Sequence, residues 1–333
     1  MGLMSSYKAS SNKKVLIVDG TNTFIRGMAV SKVINSRGVH IGGISGFLLS
    51  VGYAIKHIKP TKLIIVFDGQ NGRVKRKALY PEYKANRDKV ITKPRNDLFL
   101  SVDHEREAMD MQMKRLKEYF KILPLQFIVM NNCEADDVIA YVTRHKEFEK
   151  LDKYVMSTDS DFLQLIDDKT YIYSPLKKII YNDKKLKELL QLNSENVILY
   201  KSILGDTSDN IKGVKGIGVK TLQSQIPILF EDKKITIEDI DDYIDTIDKP
   251  SKRVQSIKEN LDIVELNSKI IQLDEPLMDQ HQKILIDNDL KHKVPSLNKI
   301  KFLQYSKFDG ILGNLKDPLK WLDDCFKLLN FQK

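Results

Sequence analysis

Asp159 and Asp161 stand one residue apart in STDSDFLQLI (157–166), directly after the apolar run KYVM. Like charges this close, at the edge of a low-dielectric core, need bulk water or a bound cation. Three more apolar runs reach acid in the same way. VLIVDGTN ends on Asp19, LIIVFDG ends on Asp68, and QFIVMNNCEADDVIA leads into Glu134, Asp136 and Asp137. Taken singly, each acid is explained equally well by a helix N-cap, a turn or a helix-dipole partner. Four successive runs delivering acid are better explained together, as the lining of one cation pocket. The six histidines show no paired ligand spacing and Cys133 has no cysteine neighbour. The shell is therefore carboxylate, which suits Mg²⁺ or Mn²⁺ and argues against zinc. Two such ions about 4 Å apart would activate a water and stabilise the leaving oxygen of a phosphodiester.

To bring these acids together, the chain needs strands that run side by side in one direction. β-branched runs at 14–18, 62–67, 126–130 and 153–156 alternate with segments of helical period at about 43–58, 103–121 and 134–146. That alternation predicts an α/β fold with a central, mostly parallel sheet flanked by helices, and ligands bound beyond the carboxyl ends of the strands. The expected division is a disordered tail over 1–13, an α/β domain over 14–204 carrying a basic segment at about 70–115, and a helical C-terminal region over 205–333. IGGISGFLLSVGYAI (41–55) is too short for a membrane span of about 20 residues. Cys133 and Cys325, far apart with no secretory signal, are expected to be reduced thiols of a cytoplasmic protein, without membrane attachment.

The net charge of +9 is concentrated. Between Gln70 and Arg95, nine Lys and Arg stand against Glu82 and Asp88, which places +7 of the +9 there. A solvated loop is the bland explanation, but Tyr80 and Tyr83 among the cations favour nucleic acid, whose bases stack on aromatic faces. Arg73, Lys75, Arg76, Lys77 and Tyr83 are the candidate contacts. A further block, GDTSDNIKGVKGIGVKTL (205–222), sets Asp206 and Asp209 three apart before Gly213, Gly216 and Gly218. G-V-K-G-I-G reads as a helix-hairpin-helix type turn (motif 205–228), whose small residues let backbone N–H groups approach a phosphate. Val219 between Gly218 and Lys220, with no strand leading in, argues against a Walker A loop.

YPEYKANR, EADDVIA, STDSDFLQL and GDTSDNIKGVKGIGVKT together resemble the 5′ nuclease superfamily: flap endonucleases, the 5′ nuclease domain of bacterial DNA polymerase I and phage 5′-3′ exonucleases. The likeness covers about residues 14–230, and in organisation the chain is similar to the T-even phage ribonuclease H. The resemblance implies a PIN/5′ nuclease-like fold with a helical arch. It also implies a two-metal 5′-3′ exonuclease and flap endonuclease with RNase H activity that removes lagging-strand RNA primers in phage DNA replication. By the same likeness, Asp19, Asp68, Glu134 and Asp136 serve one Mg²⁺, with Asp137 and Asp159 near or between the ions. Asp161, Asp206 and Asp209 serve a second, and Mn²⁺ substitutes. Lys84 and Arg87 would act on the scissile phosphate and Tyr83 would stack on a displaced base. The backbone of 213–218, with Lys215 and Lys220, would hold duplex around a K⁺ ion. Implied partners are 5′-flap or 5′-ended DNA, RNA–DNA hybrid, and a single-strand-binding protein or sliding clamp, with the enzyme a monomer. Two other classes share parts of the pattern. A PIN-like ribonuclease would have the acidic edge without 205–222, and a non-catalytic DNA-binding protein of this fold would have the cations and glycines without the full acid set.

Overall fold

The computed structural model describes residues 13–87, 93–315 and 317–331. The expected tail therefore lies outside the described residues except for Lys13, as do Asp88 and Lys89 of the basic segment. Alternate side chains of β1 (Lys14–Asp19) enter opposite cores: Val15 and Ile17 on one face, Leu16 and Val18 on the other. A strand buried on both faces has no solvent side to leave polar, which is why its sequence reads as a continuous apolar run. β2 (Lys62–Asp68), β3 (Gln126–Met130), β4 (Asp152–Met156) and β5 (Thr170–Ser174) run parallel to it, and β6 (Ile179–Tyr181) closes the sheet antiparallel, in the order β3-β2-β1-β4-β5-β6. All four expected strands are present.

One face carries α1 (Gly20–Val30), α2 (Gly42–Ile58) and, after the short α3 (Val74–Leu79), α4 (Val102–Phe120). The glycines that break the apolar 41–55 run have a packing reason: a Cβ on Gly46 would lie 3.0 Å from the Cα of Gly27 in α1, so the two helices cross closely. α4 buries Gln112, whose side-chain oxygen accepts from the N–H groups of Gly43 and Ile44 at 2.9 and 3.2 Å and so caps α2. The expected basic arch, about 70–115, therefore takes in the first part of α4, which packs against α2.

The other face is covered by α5 (Ala135–Thr143), α6 (Asp183–Leu190) and α7 (Val197–Leu204). A two-stranded ribbon, β7 (Gly205–Asp206) and β8 (Ile211–Lys212), leads to α8 (Val219–Gln225). Then come α9 (Ile237–Asp245), α10 (Lys252–Lys258), α11 (Leu261–Ile271) and α12 (Gln280–Lys291), which continue the same core. The last helices, α13 (Lys299–Asp309) and α14 (Pro318–Phe326), return to the α2/α4 face, where Phe302, Leu322 and Phe326 are buried. The region after 205 is thus helical apart from the ribbon, and it packs on both faces of the sheet.

Candidate active site

Parallel strands end on one edge, and the acids end with them. Asp19 closes β1 and is 5% exposed; its Oδ1 accepts from the Asn22 N–H at 3.0 Å and its Oδ2 from the Ser157 hydroxyl at 2.8 Å. Asp68 closes β2, and its Oδ1 accepts from the Ala135 N–H at 2.8 Å, tying that strand end to the start of α5. Asp159, three residues beyond β4, accepts from the Asp161 N–H at 2.9 Å. Asp19 does cap α1 and Asp159 caps a 3₁₀ turn, so the bland reading of each holds alongside the chemical one. Glu134 and Asp136 bring the first turn of α5 to the same edge.

The ribbon adds Asp206 and Asp209 and fastens them to the basic segment. The Lys84 N–H donates to the Asp209 carbonyl at 2.8 Å, Asn86 donates to the Thr207 carbonyl at 3.0 Å, and Asn210 donates to the Glu82 carbonyl at 2.8 Å. Lys84 has a φ of 52°, in the left-handed region that few non-glycine residues adopt. Its ammonium donates to Glu134 Oε1 at 2.6 Å and lies 3.5 Å from Asp209 Oδ2, and Arg87 reaches Asp209 Oδ1 at 2.6 Å. Both residues expected to act on phosphate therefore stand against the acids.

Lys201 is absent from the sequence-based candidates, yet it donates to Asp161 and, at 2.9 Å, to Asp206 Oδ2. Its signal in the sequence is a single cation in the apolar helix VILYKSIL, where a charge needs a partner.

Four expectations change. Tyr83 is 2% exposed, with its hydroxyl donating to Glu134 Oε2 and Asp209 Oδ2 at 3.1 and 3.2 Å, so its ring has no free face for a base. Arg76 is 4% exposed and its guanidinium is committed to Glu134 and Asp137, so it presents no open cation to a phosphate. Asp137 commits both oxygens to Arg76 and one of them also to the Leu277 N–H, which removes it from the pocket lining. A Cβ on Gly213 would overlap the Leu204 carbonyl, so this glycine is required by ribbon packing. Gly216, at a φ of 80°, and Gly218 face open space, and Lys215 and Lys220 are exposed. Lys75 is held by Gln282 at 2.7 Å, and Arg73 and Lys77 are half-buried.

The electrostatics separate two groups of acids. Burial pushes Asp19 up to about 7, and the charges of Asp68 and Asp159 add to this. Desolvation raises Asp136 well above the ordinary carboxylate range, with Asp159 and Asp19 reinforcing it, and raises Asp159 with help from Asp206. Burial acts on Glu134 too, but Lys84 and Arg76 outweigh it and hold that carboxyl low; Ser208 and Lys201 do the same for Asp206. Among the described residues no three His, Cys, Asp or Glu side chains close into a cage around an ion. Asp19, Asp136 and Asp159 nevertheless stay outside the ion pairs that Lys84, Arg87 and Lys201 make. A group of hard oxygen donors whose ionised form is destabilised by burial first and by one another's charge second fits a divalent cation, which would offset the cost of ionising them.

These shifts carry a pH dependence. A carboxyl whose folded pKa is raised from 3.8 to about 7 binds more protons folded than unfolded between those values, so stability falls as pH rises through that window. The metal-free protein is expected to melt lower at pH 8 than at pH 5, and Mg²⁺ to raise the melting temperature more at pH 8. Calorimetric melts at both pH values check this; an equal Mg²⁺ effect would mean that these acids do not share an ion.

A sequence model described as "5'-3' exonuclease, N-terminal resolvase-like domain" matches residues 14–204, more than half of the chain. The chain belongs to this 5′-3′ exonuclease family. It is 28% identical over 316 residues to a 5′-3′ exonuclease of Aquifex aeolicus, covering 95% of this chain and 97% of that protein. It is 30% identical over 217 residues to DNA polymerase I of Bacillus subtilis, where it spans 23% of the polymerase's length. Among solved structures, the T5 5′-exonuclease with bound divalent metal ions (zinc) superposes with a TM-score of 0.66 at 22% identity, covering 84% of this chain and 99% of that one. A bacteriophage T5 flap endonuclease, in a pseudo-enzyme-product complex with DNA and metal ions, gives 0.62 at 23%, covering 90% and 98%. These two structures share the fold of the present chain.

Proposed function

We propose that this exonuclease-family chain is a divalent-metal-dependent 5′ nuclease that hydrolyses phosphodiesters near the 5′ end of flap DNA, duplex DNA and RNA–DNA hybrid. One observation carries the reading: acids from the ends of β1, β2 and β4, from α5 and from the β7–β8 ribbon meet on one sheet edge, and the root of the basic segment is bonded into the same place. Asp19, Asp68, Glu134 and Asp136 would hold one ion, with Asp159 between the two, and Asp161, Asp206 and Asp209 would share a second with Lys201 alongside. Such ions supply an activated water and neutralise charge on the leaving oxygen. Lys84 and Arg87 would orient the scissile phosphate from the pocket wall, with Lys84 kept charged because Asp136, Glu134 and Asp209 outweigh its desolvation. The exposed Gly216–Gly218 turn with Lys215 and Lys220 would grip the backbone of the duplex, with a monovalent cation such as K⁺ at the turn. Removal of RNA primers would follow from cutting hybrid as well as flap.

Cleavage of 5′-flap DNA, nicked duplex, RNA–DNA hybrid and single-stranded RNA, each with Mg²⁺ or with EDTA, tests this. Expected is Mg²⁺-dependent release of short 5′ products from the first three. Cutting of single-stranded RNA alone would point to a PIN-like ribonuclease. Tight binding of flap DNA without cutting under any divalent ion would point to a non-catalytic DNA-binding protein.

A further inference from the structure

Arg76 sits in the most basic stretch of the chain, yet its guanidinium is committed to protein. Nε donates to the Ile270 carbonyl at 2.9 Å, Nη1 donates to Glu134 Oε2 at 2.9 Å, and Nη1 and Nη2 together grip the two oxygens of Asp137. Asp137 Oδ1 also accepts from the Leu277 N–H at 2.9 Å. A planar fork of this kind fixes direction as well as charge, which a lysine cannot do. One side chain therefore joins three parts of the molecule: α3 at the root of the basic segment, the first turn of α5, and the end of α11 with the connector that follows it. With Glu134 Oε2 held by Arg76 and Tyr83, Oε1 is left facing Lys84. The place of the Lys84 ammonium is thus set at second hand by Arg76.

We propose that Arg76 is a positioning residue that orients Glu134, and through it Lys84, toward the carboxylate pocket, with Asp137 as its anchor. The arrangement draws on the Ile270 carbonyl and the Leu277 N–H, both beyond the segment 14–204 that defines the family match. The C-terminal region is then part of the active-site scaffold. This rests on reading the pocket as a metal-dependent nuclease centre. Partners one step removed from a metal commonly alter metal affinity or activity by about 10- to 100-fold when replaced.

Arg76→Met, Arg76→Lys and Asp137→Asn in the full chain test the proposal. The measurements are Mn²⁺ binding by calorimetry, flap-DNA affinity against salt in EDTA, and single-turnover cutting at saturating substrate. Arg76→Met is expected to weaken Mn²⁺ binding and slow cutting, each by about tenfold or more, while DNA affinity and its salt slope stay at wild type. Arg76→Lys is expected to recover part of the Mn²⁺ affinity and little of the rate. Asp137→Asn is expected to keep the wild-type number of Mn²⁺ ions. A salt slope shallower by about one unit in Arg76→Met would make Arg76 a phosphate contact, and loss of an ion in Asp137→Asn would make Asp137 a ligand; either overturns the proposal. So would a lowered melting temperature with unchanged Mn²⁺ affinity and rate, the mark of a purely structural pair. If Arg76→Met does not fold, Arg76→Lys decides on the same readouts. Should the wild type bind Mn²⁺ in an Arg76-dependent way without cutting, the nuclease reading fails and the positioning role stands; should it cut with no dependence on Arg76, the reverse holds.

Discussion

Asparagine at Asp19 or Asp159 is expected to leave a protein that folds and binds flap DNA but cuts it about a thousandfold more slowly or worse. Metal-borne charge stabilisation is worth several kcal/mol, and each 1.36 kcal/mol is a factor of about ten. At position 19, asparagine keeps the shape and can still accept from the Asn22 N–H, while the Ser157 hydroxyl turns to accept from the new amide. The stability of the metal-free protein should move the other way. Desolvation is the main reason Asp19 is raised to about 7, so a neutral side chain there removes a penalty that is present at pH 8. The paired result, slower cutting with a higher metal-free melting temperature, separates a ligand from a structural N-cap. A capping carboxylate replaced by asparagine would leave the rate intact and change stability little. Wild-type cutting under saturating substrate would remove the residue from the ligand set.

Much of this site is legible because strand ends are. Apolar runs such as KVLIVD and KLIIVFD announce strands buried on both faces, and such strands place whatever follows them on one edge. The periods of α2, α4 and α5 are equally plain. TYIYS and IIY are not among the expected strands. Each is short, they flank the charged turn PLKK, and a three-residue edge strand gives almost no period to count. Nor does the sequence say which cations face solvent. Arg73 to Lys77 read as one basic run, but α3 turns Arg76 inward by helical geometry while Val74 and Leu79 lie exposed. Tyr83 reads as a stacking platform for the same reason: spacing reports neighbours along the chain and not the acids brought over from α5 and the ribbon. Lys201 is hidden by the opposite effect, a charge inside an apolar pattern that suggests only a core helix.

The second large effect divides the cations by their surroundings. Lys84 is 5% exposed and bonded to Glu134 beside Asp209, whereas Lys215 is exposed on a turn whose glycines face open space. A buried ammonium in a preorganised pocket acts on the transition state, and losing one such donor costs about 10²- to 10³-fold in rate. Lys84→Ala is therefore expected to slow single-turnover cutting by at least about a hundredfold while changing duplex affinity little. It also leaves Glu134 with Arg76 and Tyr83 but without its nearest cation, so the melting temperature should fall as well. An exposed lysine on a duplex-gripping turn instead contributes through counterion release. Lys215→Ala should weaken duplex binding and flatten the log–log salt slope by up to about one unit, with the saturated rate near wild type. Single-turnover rates and salt-dependent affinities on flap and blunt duplex DNA check both halves. If the two variants share one profile, pocket and turn are not separate devices, and the basic residues act only as a diffuse attractor for the polyanion.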